Sequence, residues 1–197
     1  MGIPNVDIAT RVCLAFPPAL ADDVRAVCRL LPHHVHEPTE HDIGQITVDG
    51  MALRIPSRIY SAVPTDNDLS TITDGQRLIV SCLLTRHHNG FVRQRFAANF
   101  ENTLCSWSLP FAIQLLGEYV HPICIDLLRV FPMQPDDGVG KFVADNSEYI
   151  ATTRRRIISY WHYYRIQIPS FTDYAPYQIL ERLGVWDHTL TPRLTAR

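Results

Sequence analysis

Four groups of side chains in this chain have types and spacings that could support chemistry. The first is a histidine-rich stretch, His33, His34, His36 and His41, interleaved with Glu37, Glu40 and Asp42. Imidazole and carboxylate are the ligands of zinc and iron sites, and a segment of this kind can wrap a metal ion. Pro38 denies it the fixed i,i+4 geometry of helical metal motifs, so residues 33–42 are expected to be a solvated acidic loop whose histidines titrate freely. The second is Glu118-x-x-His121, the ligand pair that bundle-type diiron proteins place on a helix. Such a centre needs a second copy and two more carboxylates, and the chain has one copy. Gln114, Glu118 and His121 fall at i, i+4 and i+7, which reads as a solvent-facing stripe.

The third group is Arg154-Arg155-Arg156 followed by Tyr160-Trp161-His162-Tyr163-Tyr164-Arg165. Arginines interleaved with aromatics suit an acidic peptide or single-stranded nucleic acid. On a helix, Ile157, Trp161 and Tyr164 fall on the buried stripe, while Arg155, Arg156 and His162 lie away from it and Arg154 flanks the core. Arg93 and Arg95, at the start of another helix after Asn89, could extend this basic surface. The fourth group is the cysteines, Cys13, Cys28, Cys82, Cys105 and Cys124. Their number is odd and no CxxC occurs, which excludes a paired zinc site or a disulfide scaffold and favours reduced, hydrophobe-like thiols in a cytoplasmic protein. No GxSxG, P-loop, GxGxxG or HExxH occurs, so no enzyme class has an anchor and no cofactor is expected.

The elements that must position these residues are mostly helical. The chain has 197 residues, 46% hydrophobic and 19% charged, which is the composition of a folded domain. Ala19–Leu31 reads as an amphipathic helix that Pro32 ends. Ile43–Ile55 alternates apolar and polar residues around Asp49-Gly50, a strong hairpin signal. Ser61–Thr71 reads as a polar linker. Thr73-x-x-Gln76 is a capping box opening an apolar helix that Asn89-Gly90 stops. Val92, Phe96, Phe100 and Leu104 mark a second helix face. Ser106 or Ser108 caps a third helix, with Leu109, Ile113, Leu116, Val120, Ile123 and Leu127 inward, that Pro122 kinks or splits. Asp145-x-x-Glu148 opens a long helix with Ile150, Thr153, Ile157, Trp161 and Tyr164 inward, and a short one covers Ala175–Leu183. The expected fold is mainly α: a compact bundle or short array with one N-terminal hairpin at about 43–55. Residues 1–70 form an N-terminal segment packed on a helical core of residues 71–197.

The run from Asp74 to Phe131 resembles HEAT-type helical repeats. The resemblance rests on Asn89-Gly90-Phe91-Val92-Arg93 between helices, on small Ala97 and Ala98, and on Leu109-Pro110-Phe111 opening a second pair split near Pro122. It covers under a third of the chain, and the second unit lacks the Val-Arg pair. What it implies is a scaffold or binding surface instead of chemistry.

Net charge is −2, which makes no electrostatic case for nucleic acid or anionic lipid. It is unevenly placed: residues 1–70 carry −4, residues 71–145 −1 and residues 146–197 +3. No apolar run nears the roughly 20 residues of a membrane helix. Val12–Phe16 is too short for a secretory leader and is interrupted by Pro17 and Pro18. The sequence therefore reads as a non-enzymatic protein-interaction or scaffold module whose partner is another protein, with no membrane association. The binding residues would be Arg93, Arg95, Arg154, Arg155, Arg156 and His162. The alternative is a metal-dependent enzyme using the histidine-rich loop or Glu118 and His121; a nucleic-acid binder using the Arg/aromatic helix comes third.

Overall fold

The computed structural model describes residues 8–31, 33–36, 45–101, 103–131 and 137–186, together with residues 189 and 192. The fold is mainly α. Helix α1 (Ile8–Cys13) and helix α2 (Ala21–Leu30) lead into strand β1 (His33–His36). Strands β2 (Ile46–Val48) and β3 (Met51–Leu53) form the expected hairpin. Its turn places Asp49 at φ 50° and Gly50 at φ 78°, the left-handed pair that a two-residue hairpin loop requires. Ile46, Val48 and Leu53 point into the core.

Strand β4 (Arg58–Ser61) was not expected. It pairs antiparallel with β1, from His33 opposite Ser61 to His36 opposite Arg58. Residues 33–36 are thus extended and paired in their backbone instead of forming a loop, while residues 37–42 of that stretch lie outside the described residues. The supposed linker also contains helix α3 (Asp66–Ser70), opened by a capping box in which Thr65 and Asp68 exchange bonds.

Helix α4 (Asp74–Leu84) begins with the expected box between Thr73 and Gln76. Ile79 to Leu84 are all buried, as a helix apolar on every side must be. Asn89 does not stop it. The helix ends at Leu84, and Asn89 instead caps helix α5 (Gly90–Ala97), its Oδ1 accepting from Phe91 N. Helix α6 (Leu109–Leu116) and helix α7 (His121–Val130) are the two halves of the split third helix. Pro122 lies in the first turn of α7, where its missing amide hydrogen costs nothing, and the break itself falls on residues 117–120.

Helix α8 (Asp137–Asp145) was also missed, and Asp145 ends it instead of opening the next helix. Helix α9 (Ser147–Tyr164) follows, burying Ile150, Thr153, Ile157 and Trp161. Helix α10 (Ala175–Arg182) ends before Gly184 at φ 66°, a left-handed residue that suits glycine. One cluster of buried apolar side chains runs from Val12 in α1 to Trp186 after α10. Among the described residues, no helix is long and apolar enough to cross a membrane. All five cysteines are free thiols, with Cys82 and Cys124 buried.

Candidate arginine cleft and tyrosine rim

A polar cleft of about 310 Å³ opens between β4, the end of α6 and α9. Ser57, Arg58, Arg86, Gln114, Gly117, Glu118, Arg156 and Tyr160 line it. Four chain segments meet here, and backbone bonds set two of them side by side. Ile59 N donates to Arg86 O at 2.9 Å and His88 N to Ile59 O at 3.0 Å, which fixes β4 against the turn after α4. That contact puts Arg58 and Arg86 over the residues where α6 stops.

Glu118 occupies that stop. Arg58 grips it with both terminal nitrogens, at 3.0 Å to Oε1 and 3.1 Å to Oε2. Arg86 Nη1 donates to Oε1 at 2.9 Å, and Arg93 Nη2 lies 3.6 Å from Oε2. Burial by itself would raise the Glu118 pKa. The charge of Arg86, then the bond and charge of Arg58, then the charge of Arg93 outweigh it and hold the carboxyl at about 2. Arg86 is itself buried, and its remaining donors reach the carbonyls of Pro56 and Ser57 at 3.2 and 2.8 Å. Arg93 donates through Nη1 to the carbonyls of His87 and His88 at 2.8 and 3.0 Å. Burial lowers the pKa of both guanidiniums from the usual arginine value, against the opposing pull of Glu118. The two carboxylate oxygens thus accept three hydrogen bonds, two at Oε1 and one at Oε2, and all come from guanidiniums.

This arrangement corrects the solvent-stripe reading of Gln114, Glu118 and His121. Gln114 and Glu118 are 3% and 7% exposed, and the break at residues 117–120 takes His121 off their helix. His121 instead stacks on Tyr174, ring centroids 5.1 Å apart, with Nδ1 buried and unpartnered; burial lowers its pKa. Among the described residues, no group of three or more His, Cys, Asp or Glu side chains is placed to hold a metal ion.

The six basic residues picked from the sequence do not share one surface. Arg93 is buried under Glu118. Arg95 pairs with Asp66 at 2.7 Å on the exterior of α5. Arg154 donates to the Val185 carbonyl and ties α9 to the segment after α10. Arg155 and His162 are exposed on α9. Arg156 is not on the solvated side: it turns into the cleft, and its guanidinium has no ion pair among the described residues.

Beside the cleft lies a tyrosine cluster. Arg156, Tyr160, Tyr163 and Tyr164 fall at i, i+4, i+7 and i+8, one face of α9. Tyr119, on the connection from α6 to α7, packs against all three tyrosines at centroid distances of 5.7, 4.8 and 5.7 Å. Tyr164 Oη donates to the Tyr119 carbonyl at 2.6 Å. Tyr119 and Tyr163 remain 42% and 62% exposed, and Ile166 just beyond α9 is 87% exposed.

Sequence reasoning found Arg156 and the aromatics but not Arg58, Arg86 or the role of Glu118. Arg58 stands 60 residues from Glu118, a separation that leaves no local pattern. A signal did exist at Gly117, whose position ahead of Pro122 marks a helix end that periodicity carried straight through. No protein-family model, curated protein or solved structure matches this chain.

Proposed function

We propose that this chain is a non-enzymatic protein-interaction module whose contact face is the tyrosine rim and the outward side of α9. The observation that carries the reading is the exposed contact pair Tyr119 and Tyr163, with Ile166, also exposed, three residues after Tyr163. Isolated exposed apolar residues need no explanation, whereas grouped aromatics edged by arginine have the composition of interface hot spots. Arg155 and His162 on α9 and Arg165 just after it are exposed, which favours a partner presenting acidic side chains. The packing of α4 on α5, α6 on α7 and α5 on α7 supports a HEAT-like reading of residues 74–131, a framework suited to displaying a face.

The test is affinity recovery from native extract with the wild-type chain and with Tyr119→Ala/Tyr163→Ala. Phe91→Ala serves as control, since Phe91 is 85% exposed and belongs to α5. A stoichiometric protein that the wild type and Phe91→Ala retain and the double variant loses, at unchanged melting temperature, supports the reading. Equal recovery by all three removes the rim from consideration.

A further inference from the structure

The charge in the arginine cleft does not balance. Arg58, Arg86 and Arg93 all serve the single carboxylate of Glu118, and Arg156 enters with no acidic partner among the described residues. Four guanidiniums against one carboxylate leave three uncompensated positive charges around one concavity. Glu118 cannot absorb more of this: its two oxygens already accept from Arg58 and Arg86 and face Arg93. Nor can the arginines relax equally into water. Arg86 and Arg93 have side chains only 4% and 7% exposed, while Arg58, which lines the cleft, is 35% exposed.

A second, independent feature is Gln114. It lines the cleft from α6, is 3% exposed, and its Oε1 has no hydrogen-bond partner. A buried amide oxygen left unpaired is costly, and such groups in folded proteins call for a partner. A third is Gly117. Its φ of −90° suits any residue, so backbone conformation does not demand glycine there. Space is tight there: a Cβ would stand 3.3 Å from Arg156 Cδ and 3.5 Å from its Cβ, so the arginine stem would have to shift by a few tenths of an ångström. The missing side chain lets the stem of Arg156 lie against the chain where it lines the cleft.

We propose that the cleft is a binding site for a tetrahedral oxyanion, a phosphate group taken free or as a small phosphomonoester. Arg156 and Arg58 are its direct donors, from α9 on one side and β4 on the other, and guanidinium forks match phosphate oxygens in pairs. Arg86 and Arg93, immobilised behind Glu118, supply field instead of direct contact. A volume of about 310 Å³ exceeds what a bare phosphate fills and admits a small organic group, for which Tyr160 offers an aromatic wall.

The site is tested by calorimetric titration of the intact chain with inorganic phosphate and with phenyl phosphate, against sodium chloride of equal ionic strength. Saturable one-to-one binding tighter than about 1 mM by either phosphate, absent with chloride, supports the proposal. Phenyl phosphate binding more tightly identifies an ester site, and equal affinity identifies a site for the free ion. Arg156→Met keeps the stem and removes the charge. It should weaken phosphate binding at least about tenfold without moving the ligand-free melting temperature, while Arg156→Lys retains part of the affinity. Gly117→Ala, which displaces Arg156, should weaken binding in the same direction. Absence of saturable phosphate binding, or equal binding by wild type and Arg156→Met, overturns the proposal. Partner recovery is separable from this result, because Arg156→Met leaves the tyrosine rim in place and Tyr163→Ala leaves the cleft.

Discussion

Replacing Glu118 by glutamine keeps the shape of the side chain and removes the one negative charge beneath three arginines. Two routes give the size of the loss. A carboxyl held at about 2 in place of 4.5 corresponds to about 3 kcal/mol in favour of the folded, ionised form. Breaking a buried ion pair by removing one partner costs about 3–5 kcal/mol, since the remaining charges stay desolvated. Both agree near 3 kcal/mol, which for a chain of this length lowers the melting temperature by about 6–12 °C. The pH dependence is more diagnostic. Because the folded pKa is depressed, the stabilisation is fully present above about 4.5 and is lost as pH falls from there towards 2. At pH 3 the linkage relation leaves only about 1 of the 3 kcal/mol. Urea midpoints of wild type and Glu118→Gln, measured from pH 6 to pH 3, should therefore converge. A gap under about 1 kcal/mol at pH 6, or one that stays constant down to pH 3, would refute the assignment of Glu118 as the ionised centre of the cluster.

Three further outcomes follow from the packing. Asn146→Ala removes bonds of 2.7 Å to Thr47 N, Thr47 O and Phe142 O and should cost about 2–3 kcal/mol, read from denaturant midpoints; a change below about 0.5 kcal/mol would show that the hairpin does not depend on this contact. Trp161→Ala empties a site that is 1% exposed and abandons the bond from Nε1 to the Ile168 carbonyl, for about 3–5 kcal/mol in the same assay, and wild-type melting would disprove its burial. Burial holds His87 and His121 below the usual histidine value, so the unfolded chain takes up their protons first: stability should be full above about pH 6.5 and decline as pH falls through it. A His87→Asn/His121→Asn variant with the wild-type slope between pH 7.5 and 5.5 would contradict this.

What was legible in the sequence was local. Thr73 and Gln76 announce α4 because a capping box closes within four residues, and Asp49-Gly50 announces the hairpin because the left-handed turn is a property of those two residues. The buried stripe Ile150, Thr153, Ile157 and Trp161 is a period that α9 alone displays. Two short helices escaped for equally local reasons. Helix α3 uses Asp68 where the box signature has Glu or Gln, and α8 contains Gly138 and Gly140, which weigh against a helix by propensity. The cleft was illegible because it is assembled across β4, the turn after α4, the end of α6 and α9. Periodicity carried past Gly117 put Glu118 on the wrong face, and the basic residues were grouped as one binding set although Arg154 is tied to the Val185 carbonyl and Arg156 lines the cleft.

The clamp between Asn146 and Thr47 has a consequence for the order of assembly. The two residues stand 99 positions apart, and closing a loop of that length costs about 4 kcal/mol of chain entropy before any contact repays it. Hydrogen bonds of about 1 kcal/mol net each cannot drive that closure, so apolar collapse must bring the ends together and the amide then fixes the register. A two-stranded hairpin is only marginally stable by itself. During synthesis, at roughly 5–20 residues per second, β2 and β3 leave the ribosome several seconds or more before Asn146. Through that interval the hairpin has only N-terminal partners such as Leu14, whose carbonyl accepts from Arg54 N, and the clamp on Thr47 closes once the junction of α8 and α9 arrives.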